Sequence, residues 1–379
     1  MSVTESAVND LVGLRNAVRD FLDLQLAEKV FAPQCDSWLS GWNESFTRNL
    51  ADQGWVGMII PAGRYGGAGR SFIERYVVTE EVLAVGAPVA AHWIADRQIA
   101  PALLRYGTER QRETLLPKIA RGEFFFALGM SEPDAGSDLA SVQLRATQAD
   151  GGWVLRGAKT WTSGAHRAHA IMTLARTSTL SDDRRQGLSQ FIVPTSAPGL
   201  TIRPIPLLTG EHHFNEVFFD DVFVPQENIL GAPGDGWKQV TSELAYERSG
   251  PERFLSTYPL LAQVIDHIDC ANTESHAAVG NVIARLAALR ELSQRVASRL
   301  NDGQDVGEHA ALVKDIGTRF ERDVIDLARA TLGIEPDLTS PDERTHLLAQ
   351  AILHAPGFSI RGGTNEILRG VIARSLGLR

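Results

Sequence analysis

The chain has 379 residues, 44% of them hydrophobic and 22% charged, and its formal net charge is −9. This length favours two or three packed units, and the acidic balance disfavours nucleic acid or an anionic membrane as the main partner. The two cysteines, Cys35 and Cys270, are far apart in sequence, which excludes a disulfide framework and favours a reducing cytoplasm. The amphipathic start lacks a signal-peptide pattern, and no run reaches the roughly 20 apolar residues of a membrane helix.

Residues 1–124 are predicted to be helical, because apolar residues recur at spacings of three and four in stretches such as LVGLRNAVRDFLDLQL. From 125 to 235 the segments are short, β-branched or aromatic, and separated by Gly, Pro and Asp, which is typical of an antiparallel β domain. Helical periodicity returns over 236–379. The sequence therefore predicts an α+β fold of three domains, in the order helical, β and helical.

One stretch of the first helical domain, AHWIADRQ, combines aromatic and charged side chains. These residues suit the lining of a pocket, and they equally suit an exposed helix face with i, i+4 contacts. Periodicity leaves both interpretations open for His92, Trp93, Asp96 and Arg97.

A candidate anion-binding turn lies in FALGMSEPDAGSDLASVQLRA, residues 126–146. Pro133 fixes one φ angle, Gly136 permits a left-handed conformation, and Ser137 and Asp138 offer short polar side chains. Backbone N–H groups in such a turn can bind an anion, although an ordinary polar β-turn explains the same residues. The sequence contains no GxGxxG and no Walker loop, so a Rossmann or P-loop nucleotide site has no support.

A second candidate segment is GAKTWTSGAHRAHA, residues 157–170. Trp161 beside Thr162 and Ser163 suits a planar ligand with a polar edge, and it also suits a core tryptophan in a strand. Four histidines nearby lack the carboxylate pattern of a metal site, namely His166, His169, His212 and His213.

Four motifs follow one another along the chain: ALGMSEPDAGSD, GAKTWTSG, GWKQVTSELAYERSG and GGTNEILRGVIARSLGL. Together they resemble the acyl-CoA dehydrogenase family over essentially the whole chain. The resemblance implies an N-terminal helical domain (1–124), a barrel-like middle domain (125–235) and a C-terminal four-helix bundle (236–379). It also implies FAD between the β domain and the C-terminal helices, with an acyl-CoA thioester stacked on the flavin.

In that family one base removes a proton from Cα while a hydride leaves Cβ for flavin N5, and the electrons pass to an electron-transferring flavoprotein. Because the α-proton of a thioester is weakly acidic, its carbonyl must be polarised as the enolate develops. The family uses a cofactor hydroxyl and one backbone N–H for this purpose.

The resemblance assigns roles position by position. Ser137 matches a serine near the pyrophosphate and the substrate, and Ser163 stands where a hydroxyl usually reaches flavin N5. Arg248 and Gly363 match positions close to the substrate. The implied cofactor-binding residues are Leu128, Met130, Ser131, Ser137, Trp161, Thr162, Ser163, Thr364 and Glu366.

The catalytic base is the main departure from the family pattern. Most members carry a glutamate at the position of Gly362, which cannot accept a proton but keeps its backbone N–H. A subset carries the base in a Glu-Arg pair just after the β domain, and this chain has that pair as Glu247 and Arg248. The resemblance thus implies Glu247 as the base, Arg248 in substrate positioning, and the Gly362 N–H on the thioester carbonyl.

The local pattern supports an inward carboxylate. Trp237, Val240 and Leu244 form an apolar stripe that Glu247 flanks, on a helix expected to start near Gly236. Pro251 should kink or loosen that helix, because it cannot donate to the Glu247 carbonyl. A buried or half-buried ion pair that serves packing is the alternative that the residues alone leave open.

Two segments that family homotetramers use to complete a neighbour's FAD site, Arg-x-x-Phe-Gly and Gln-x-x-Gly-Gly, are missing. Either other residues compensate in a homo-oligomer, or a second acyl-CoA dehydrogenase-like subunit supplies that half, as in bacterial enzymes of sterol side-chain degradation. Two other functions remain open: a flavin oxidase or monooxygenase on the same fold, and a non-catalytic subunit of a heteromeric dehydrogenase.

Overall fold

The computed structural model describes residues 3–179, 182–269 and 271–378, and for residues 3–9 and 243–247 it describes the backbone alone. The chain forms two compact units. The helical unit comprises Met1–Trp42, Arg70–Ala90 and Ala245–Arg379, and the sheet unit comprises Asn43–Gly69 and Ala91–Leu244. Among the described residues, no helix combines enough length with enough apolar character to traverse a bilayer.

The described residues contain thirteen α-helices. In chain order these are α1 (Val3–Ala27), α2 (Ser37–Ser40), α3 (Glu44–Asp52), α4 (Phe72–Ala84), α5 (Ala90–Ile94), α6 (Ala100–Tyr106), α7 (Glu109–Ala120), α8 (Gly236–Arg248), α9 (Tyr258–His267), α10 (Thr273–Asn301), α11 (Gly307–Leu332), α12 (Glu343–Phe358) and α13 (Asn365–Ser375). Local capping fixes several starts. Ser71, for example, caps α4 through a reciprocal pair of hydrogen bonds with Glu74.

Eight strands form the sheet of the second unit. They are β1 (Phe126–Gly129), β2 (Arg145–Ala149), β3 (Gly152–Lys159), β4 (Ala170–Arg176), β5 (Leu188–Pro194), β6 (Leu200–Pro206), β7 (His212–Pro225) and β8 (Ile229–Leu230). Their order is β6-β7-β3-β2-β4-β5-β8, and β1 pairs with β4.

The sheet is mostly antiparallel, and two pairings depart from the predicted antiparallel domain. β1 and β4 run parallel, and β2 meets β4 in parallel at a single residue pair. The whole β2–β3 hairpin lies between β1 and β4 in sequence, so the chain has the length needed for a crossover connection. Thr160, directly after β3, hydrogen-bonds to Ser131, two residues after β1.

The core of the sheet unit follows from the strand pattern. β7 alternates buried and exposed residues, whereas β4 is buried along its full length. The buried cluster includes Trp153, Leu155, Phe191, Val217 and Phe219. β7 therefore buries one face, whereas β4 is covered on both.

In the helical unit, α11 contacts α9, α10, α12 and α13, and α4 contacts α1 and α10. Val313, Phe320 and Val324 of α11 are completely buried. The predicted order of helical, β and helical segments is confirmed. The boundaries at 124/125 and 235/236 stay predictions.

Two further predictions can be compared with the helices. α8 begins at Gly236 and ends at Arg248, and a 3₁₀ turn begins at Pro251, so the predicted start and interruption are confirmed. In AHWIADRQ the exposed-face interpretation is wrong, because His92, Trp93, Asp96 and Arg97 are all buried. A π-helical turn spans Ala95–Ile99 in this stretch.

Candidate active site

Two predicted cofactor segments of the sheet unit lie side by side. The Thr160 N–H donates to the Ser131 carbonyl at 2.9 Å, and Lys159 Nζ donates to the Met130 carbonyl at 3.0 Å. The end of β3 is thereby tied to the residues that follow β1. Leu128, Met130 and Ser131 are each partly exposed.

A buried ion pair organises this junction. Lys159 is completely buried, and its Nζ lies 2.8 Å from Glu132 Oε1. Burial lowers the pKa of Lys159 to about 8, while Glu132 acts in the opposite direction. The Glu132 carboxylate also accepts hydrogen bonds from the backbone N–H groups of Gln143 and Leu144, at 2.6 and 2.8 Å. The pair thus connects β3 to both ends of the predicted anion-binding turn.

Replacing Lys159 with Met is expected to lower the free energy of unfolding by about 3–5 kcal/mol, because it leaves the buried Glu132 carboxylate unpaired. Urea denaturation measures the change. Arg156→Met is the matched control on the same strand, because Arg156 pairs with Asp221 on the surface and such pairs contribute about 0–1 kcal/mol. Equal effects of the two substitutions would contradict the prediction.

Arg176, at the end of β4, donates hydrogen bonds to two carbonyls of this turn. Its Nη2 donates to the Ala140 carbonyl at 2.9 Å, and its Nε donates to the Val142 carbonyl at 3.2 Å. Ser137 lies in the exposed part of this turn. The Ser141 hydroxyl, and then Arg184, lower the pKa of the neighbouring Asp138. A backbone fixed in this way can present N–H groups without rearranging.

The segment Trp161–Ser163 has an unusual local structure. Trp161 has φ +57°, in the left-handed region, and its side chain is 54% exposed, with its ring edge-on to Phe214 at 5.6 Å. Thr162 is fully buried, and its Oγ1 has no hydrogen-bond partner among the described residues. An exposed aromatic ring beside an unpartnered hydroxyl fits a planar ligand with polar edges, as a flavin is.

The other predicted residues lie in the helical unit, around the glycine pair. Gly362 and Gly363 have φ +68° and +94°. Arg248 Nε donates to the Gly362 carbonyl at 2.8 Å. A Cβ on Gly362 would lie 3.0 Å from Arg253 Nη2, and a Cβ on Gly363 would lie 3.0 Å from Arg248 Nη2. Both positions therefore require glycine, for conformation and for space.

Arg253 is a site residue that the sequence analysis did not identify. It is 2% exposed, and its guanidinium lies 5.0 Å from the centre of the Trp38 ring. Gly317 on α11 lets the Arg253 backbone approach, since a Cβ there would come within 2.1 Å of its carbonyl oxygen. The available signal was a second Glu-Arg pair, at 252–253, just after the first.

Further cations surround the glycine pair. Arg361 lies 4.5 Å from the same Trp38 ring and forms an ion pair with Asp36. Lys314 Nζ donates to Asn365 Oδ1 at 2.9 Å. Burial, together with Arg253 and Arg361, lowers the pKa of Lys314 to about 7. These cations are partly balanced, because Arg361 also lies 3.7 Å from the buried Glu321 carboxylate.

The start of α13 carries the remaining predicted residues. Thr364 is its N-cap, and the Thr364 hydroxyl accepts a hydrogen bond from the Ile367 N–H at 3.3 Å. Glu366 is exposed in the first turn, where its own N–H and the Thr364 hydroxyl lower the pKa of its carboxyl. Their flavin-lining role stays a prediction.

Glu247 belongs to the last turn of α8, directly before Arg248. Its side chain, like that of Leu244, lies outside the described residues. The assignment of Glu247 as the base therefore stays a prediction. The neighbouring residue Arg248 hydrogen-bonds to the glycine pair through its side chain.

Comparison with known proteins places these features in one family. Residues 10–123 match the acyl-CoA dehydrogenase N-terminal domain, residues 127–222 the middle domain and residues 274–377 the C-terminal domain. Acyl-CoA dehydrogenase IpdE1 of Mycobacterium tuberculosis is 33% identical over 344 residues, 89% of this chain and 87% of IpdE1. Acyl-CoA dehydrogenase FadE34 of the same organism is 36% identical over 87% of this chain, but the match spans only 45% of FadE34.

Solved structures give the same result. The Tcur3481-Tcur3483 steroid ACAD has a TM-score of 0.84 and 27% identity, covering 99% of this chain and 98% of that chain. The ChsE4-ChsE5 complex from Mycobacterium tuberculosis has a TM-score of 0.80 and 27% identity, covering 98% of each chain. The family, the fold, the enzyme class and the FAD cofactor expected from the motifs are thus confirmed. The chain belongs to the acyl-CoA dehydrogenase family of FAD-dependent oxidoreductases.

Proposed function

We propose that this chain catalyses α,β-dehydrogenation of an acyl-CoA thioester with Glu247 as the catalytic base, and that an electron-transferring flavoprotein is the electron acceptor. The observation that carries the proposal is the 2.8 Å hydrogen bond from Arg248 Nε to the Gly362 carbonyl. This bond joins the last turn of α8, which contains Glu247, to the position where most of the family carries the base. We infer that a base on α8 serves the substrate carbon that a residue at 362 serves in most of the family.

The residues around Gly362 support a base on α8 and a backbone donor at Gly362. Gly362 has no group that accepts a proton, and the Arg253 guanidinium occupies the space beside it. The Gly362 N–H remains available for a thioester carbonyl. Arg248 holds the next peptide of the glycine pair, because its Nε donates to the Gly362 carbonyl and thereby makes the Gly363 N–H a stronger donor.

The chain's own residues have three tasks in this reaction. Glu247 takes the Cα proton, the glycine-pair N–H groups stabilise the developing enolate oxygen, and Trp161–Ser163 with Leu128–Ser131 hold the cofactor. When bound, FAD supplies the acceptor for the electron pair that leaves Cβ. Buried donors that are fixed in advance stabilise the developing charge without reorganisation during the reaction.

For the substrate and assembly we propose a bulky acyl-CoA of the steroid class and a hetero-oligomer with a second acyl-CoA dehydrogenase-like chain. The similarity to a steroid ACAD and to the ChsE4-ChsE5 complex supports both parts. The absence of the two segments that complete a neighbour's FAD site in homotetramers gives independent support. The acidic composition and a buried free thiol at Cys35 are compatible with a reducing cytoplasm.

Anaerobic mixing of the holoenzyme with acyl-CoA thioesters tests this function. The protein is purified with any partner that co-expression supplies, and its flavin absorbance is followed with steroid-type and straight-chain substrates. We expect bleaching with the steroid-type thioester, slow recovery in air and fast recovery with an electron-transferring flavoprotein. Fast recovery in air with peroxide formation would instead identify an oxidase, and no bleaching with any thioester would identify a non-catalytic subunit.

A further inference from the structure

The Trp161–Ser163 segment is clamped at its centre by Asn215 on β7. The Thr162 N–H donates to the Asn215 carbonyl at 3.0 Å, and the Asn215 N–H donates back to the Thr162 carbonyl at 3.1 Å. The Asn215 side chain adds a third bond, from Nδ2 to the same Thr162 carbonyl at 2.9 Å. Asn215 is fully buried. The peptide groups on both sides of Thr162 are thus held by one residue.

The surroundings fix the orientation of this amide. Its Nδ2 faces two carbonyl acceptors, those of Thr162 and His213, at 2.9 and 3.3 Å. Its Oδ1 must then face His212 Nε2, which lies 2.7 Å away. Because an amide oxygen only accepts, His212 Nε2 carries the proton. His212 therefore acts as a donor to the clamp.

A second imidazole supports the first. The ring of His166 is stacked on that of His212, with centroids 3.7 Å apart and planes inclined by 18°. Burial, followed by the charges of His212 and Arg167, lowers the pKa of His166 to about 4, and a hydrogen bond with Asn215 opposes this effect. His166 is consequently neutral at pH 7, which allows the two rings to remain in contact.

The clamp explains how an unfavourable conformation persists. A non-glycine residue in the left-handed region costs roughly 1–2 kcal/mol, and Trp161 is one of four such residues in the described part of the chain. Trp161 directly precedes the clamped Thr162, so the bonds of Asn215 determine the direction of its exposed ring. An unclamped segment would relax to an ordinary extended or helical conformation.

We propose that Asn215 is a positioning residue that fixes the Trp161–Ser163 segment against the flavin, and that the stacked His166–His212 pair locks its amide. The flavin half of this proposal rests on the proposed function, whereas the clamp itself does not. Neither Asn215 nor the histidines touch reacting atoms in this role. Their effect is transmitted through the Thr162 backbone.

Three substitutions in the full-length holoenzyme test the proposal. Asn215→Asp keeps the shape but replaces the Nδ2 donor with an acceptor, which repels the Thr162 carbonyl. His212→Phe keeps the stacked ring and removes the donor. His212→Gln keeps an N–H near the position of Nε2 and is the conservative control. His212 is exposed, so the two His212 variants test the clamp even if Asn215→Asp does not fold.

Two measurements distinguish an effect on the Trp161–Ser163 segment from an effect on flavin binding. The near-ultraviolet circular dichroism of Trp161, obtained by subtracting the spectrum of Trp161→Phe, reports the segment. The visible flavin spectrum and the FAD dissociation constant report the cofactor. We expect Asn215→Asp and His212→Phe to shift both, with FAD bound roughly three- to tenfold more weakly, as one lost hydrogen bond predicts. His212→Gln should resemble the parent protein.

The outcomes are distinct. An unchanged Trp161 signal in both Asn215→Asp and His212→Phe would overturn the clamp, and so would a His212→Gln variant that behaves like His212→Phe. A shifted Trp161 signal with an unchanged flavin spectrum and affinity would overturn the flavin half of the proposal. That last result would also contradict the flavin contacts assigned to this segment, while steady-state dehydrogenation would still test the proposed reaction separately.

Discussion

Replacing Glu247 with Gln is expected to lower kcat for acyl-CoA dehydrogenation by about 10²–10⁴-fold, the usual contribution of a general base. Glutamine keeps the size of the side chain but cannot accept the Cα proton. The flavin should still bind, because the residues assigned to the cofactor are unchanged. Stopped-flow measurement of flavin bleaching by an acyl-CoA substrate isolates this step from electron transfer to the acceptor.

The matched control is Glu291→Gln on α10, where the carboxylate is exposed and forms an i, i+4 pair with Arg295. This substitution should leave the bleaching rate unchanged. A Glu247→Gln variant that retains the parent rate would contradict the assignment of the base. It would leave the family membership of the chain untouched, because that rests on the sequence and fold comparisons.

Placing a glutamate at Gly362 is expected to destabilise the protein by about 1–3 kcal/mol and to leave the activity of Glu247→Gln unrestored. The φ angle of +68° disfavours any side chain at this position, and the Cβ would lie 3.0 Å from Arg253 Nη2. Arg253 cannot easily move away, because it is 2% exposed and packed against Trp38. A carboxylate next to this guanidinium would also have a lowered pKa and be a weak base.

Thermal or urea unfolding measures the stability change, and bleaching of the flavin in Gly362→Glu/Glu247→Gln measures rescue. Gly280→Glu is the control, because Gly280 lies on α10 with open space around its Cβ position. If contact with Arg253 is the main cause, adding Arg253→Ala should recover part of the lost stability. Full activity in the Gly362→Glu/Glu247→Gln variant would show that the base can return to its usual family position.

Local sequence patterns predicted much of this protein. The change from three- and four-residue periodicity to short β-branched segments predicted the strands that begin at Phe126 and the helix that begins at Gly236. Pro251 predicted the irregular backbone that follows α8, because proline cannot donate a helical hydrogen bond. The four motifs predicted the family, since each preserves residue types that one chemistry requires. These features depend on residues that are close in sequence, so sequence patterns can predict them.

Contacts between distant residues could not be predicted in this way. Lys159 and Glu132 are 27 positions apart, Asn215 and Thr162 are 53 apart, and Arg248 and Gly362 are 114 apart. No periodicity specifies such pairs, because each depends on how strands and helices pack after they form. The parallel pairing of β1 with β4 was missed for the same reason, and the choice between a buried and an exposed AHWIADRQ stayed open.

The glycine pair illustrates the difference between what local sequence patterns predict and what the folded chain adds. The amino-acid sequence shows a glycine at 362, where the family usually carries a carboxylate, and a Glu-Arg pair after the β domain. It does not show that the buried Arg253 guanidinium occupies the space beside Gly362, or that Arg248 donates to the Gly362 carbonyl; the folded chain does. Residue identity is a local property, whereas the space and charge around a residue are set by chain segments far away in sequence.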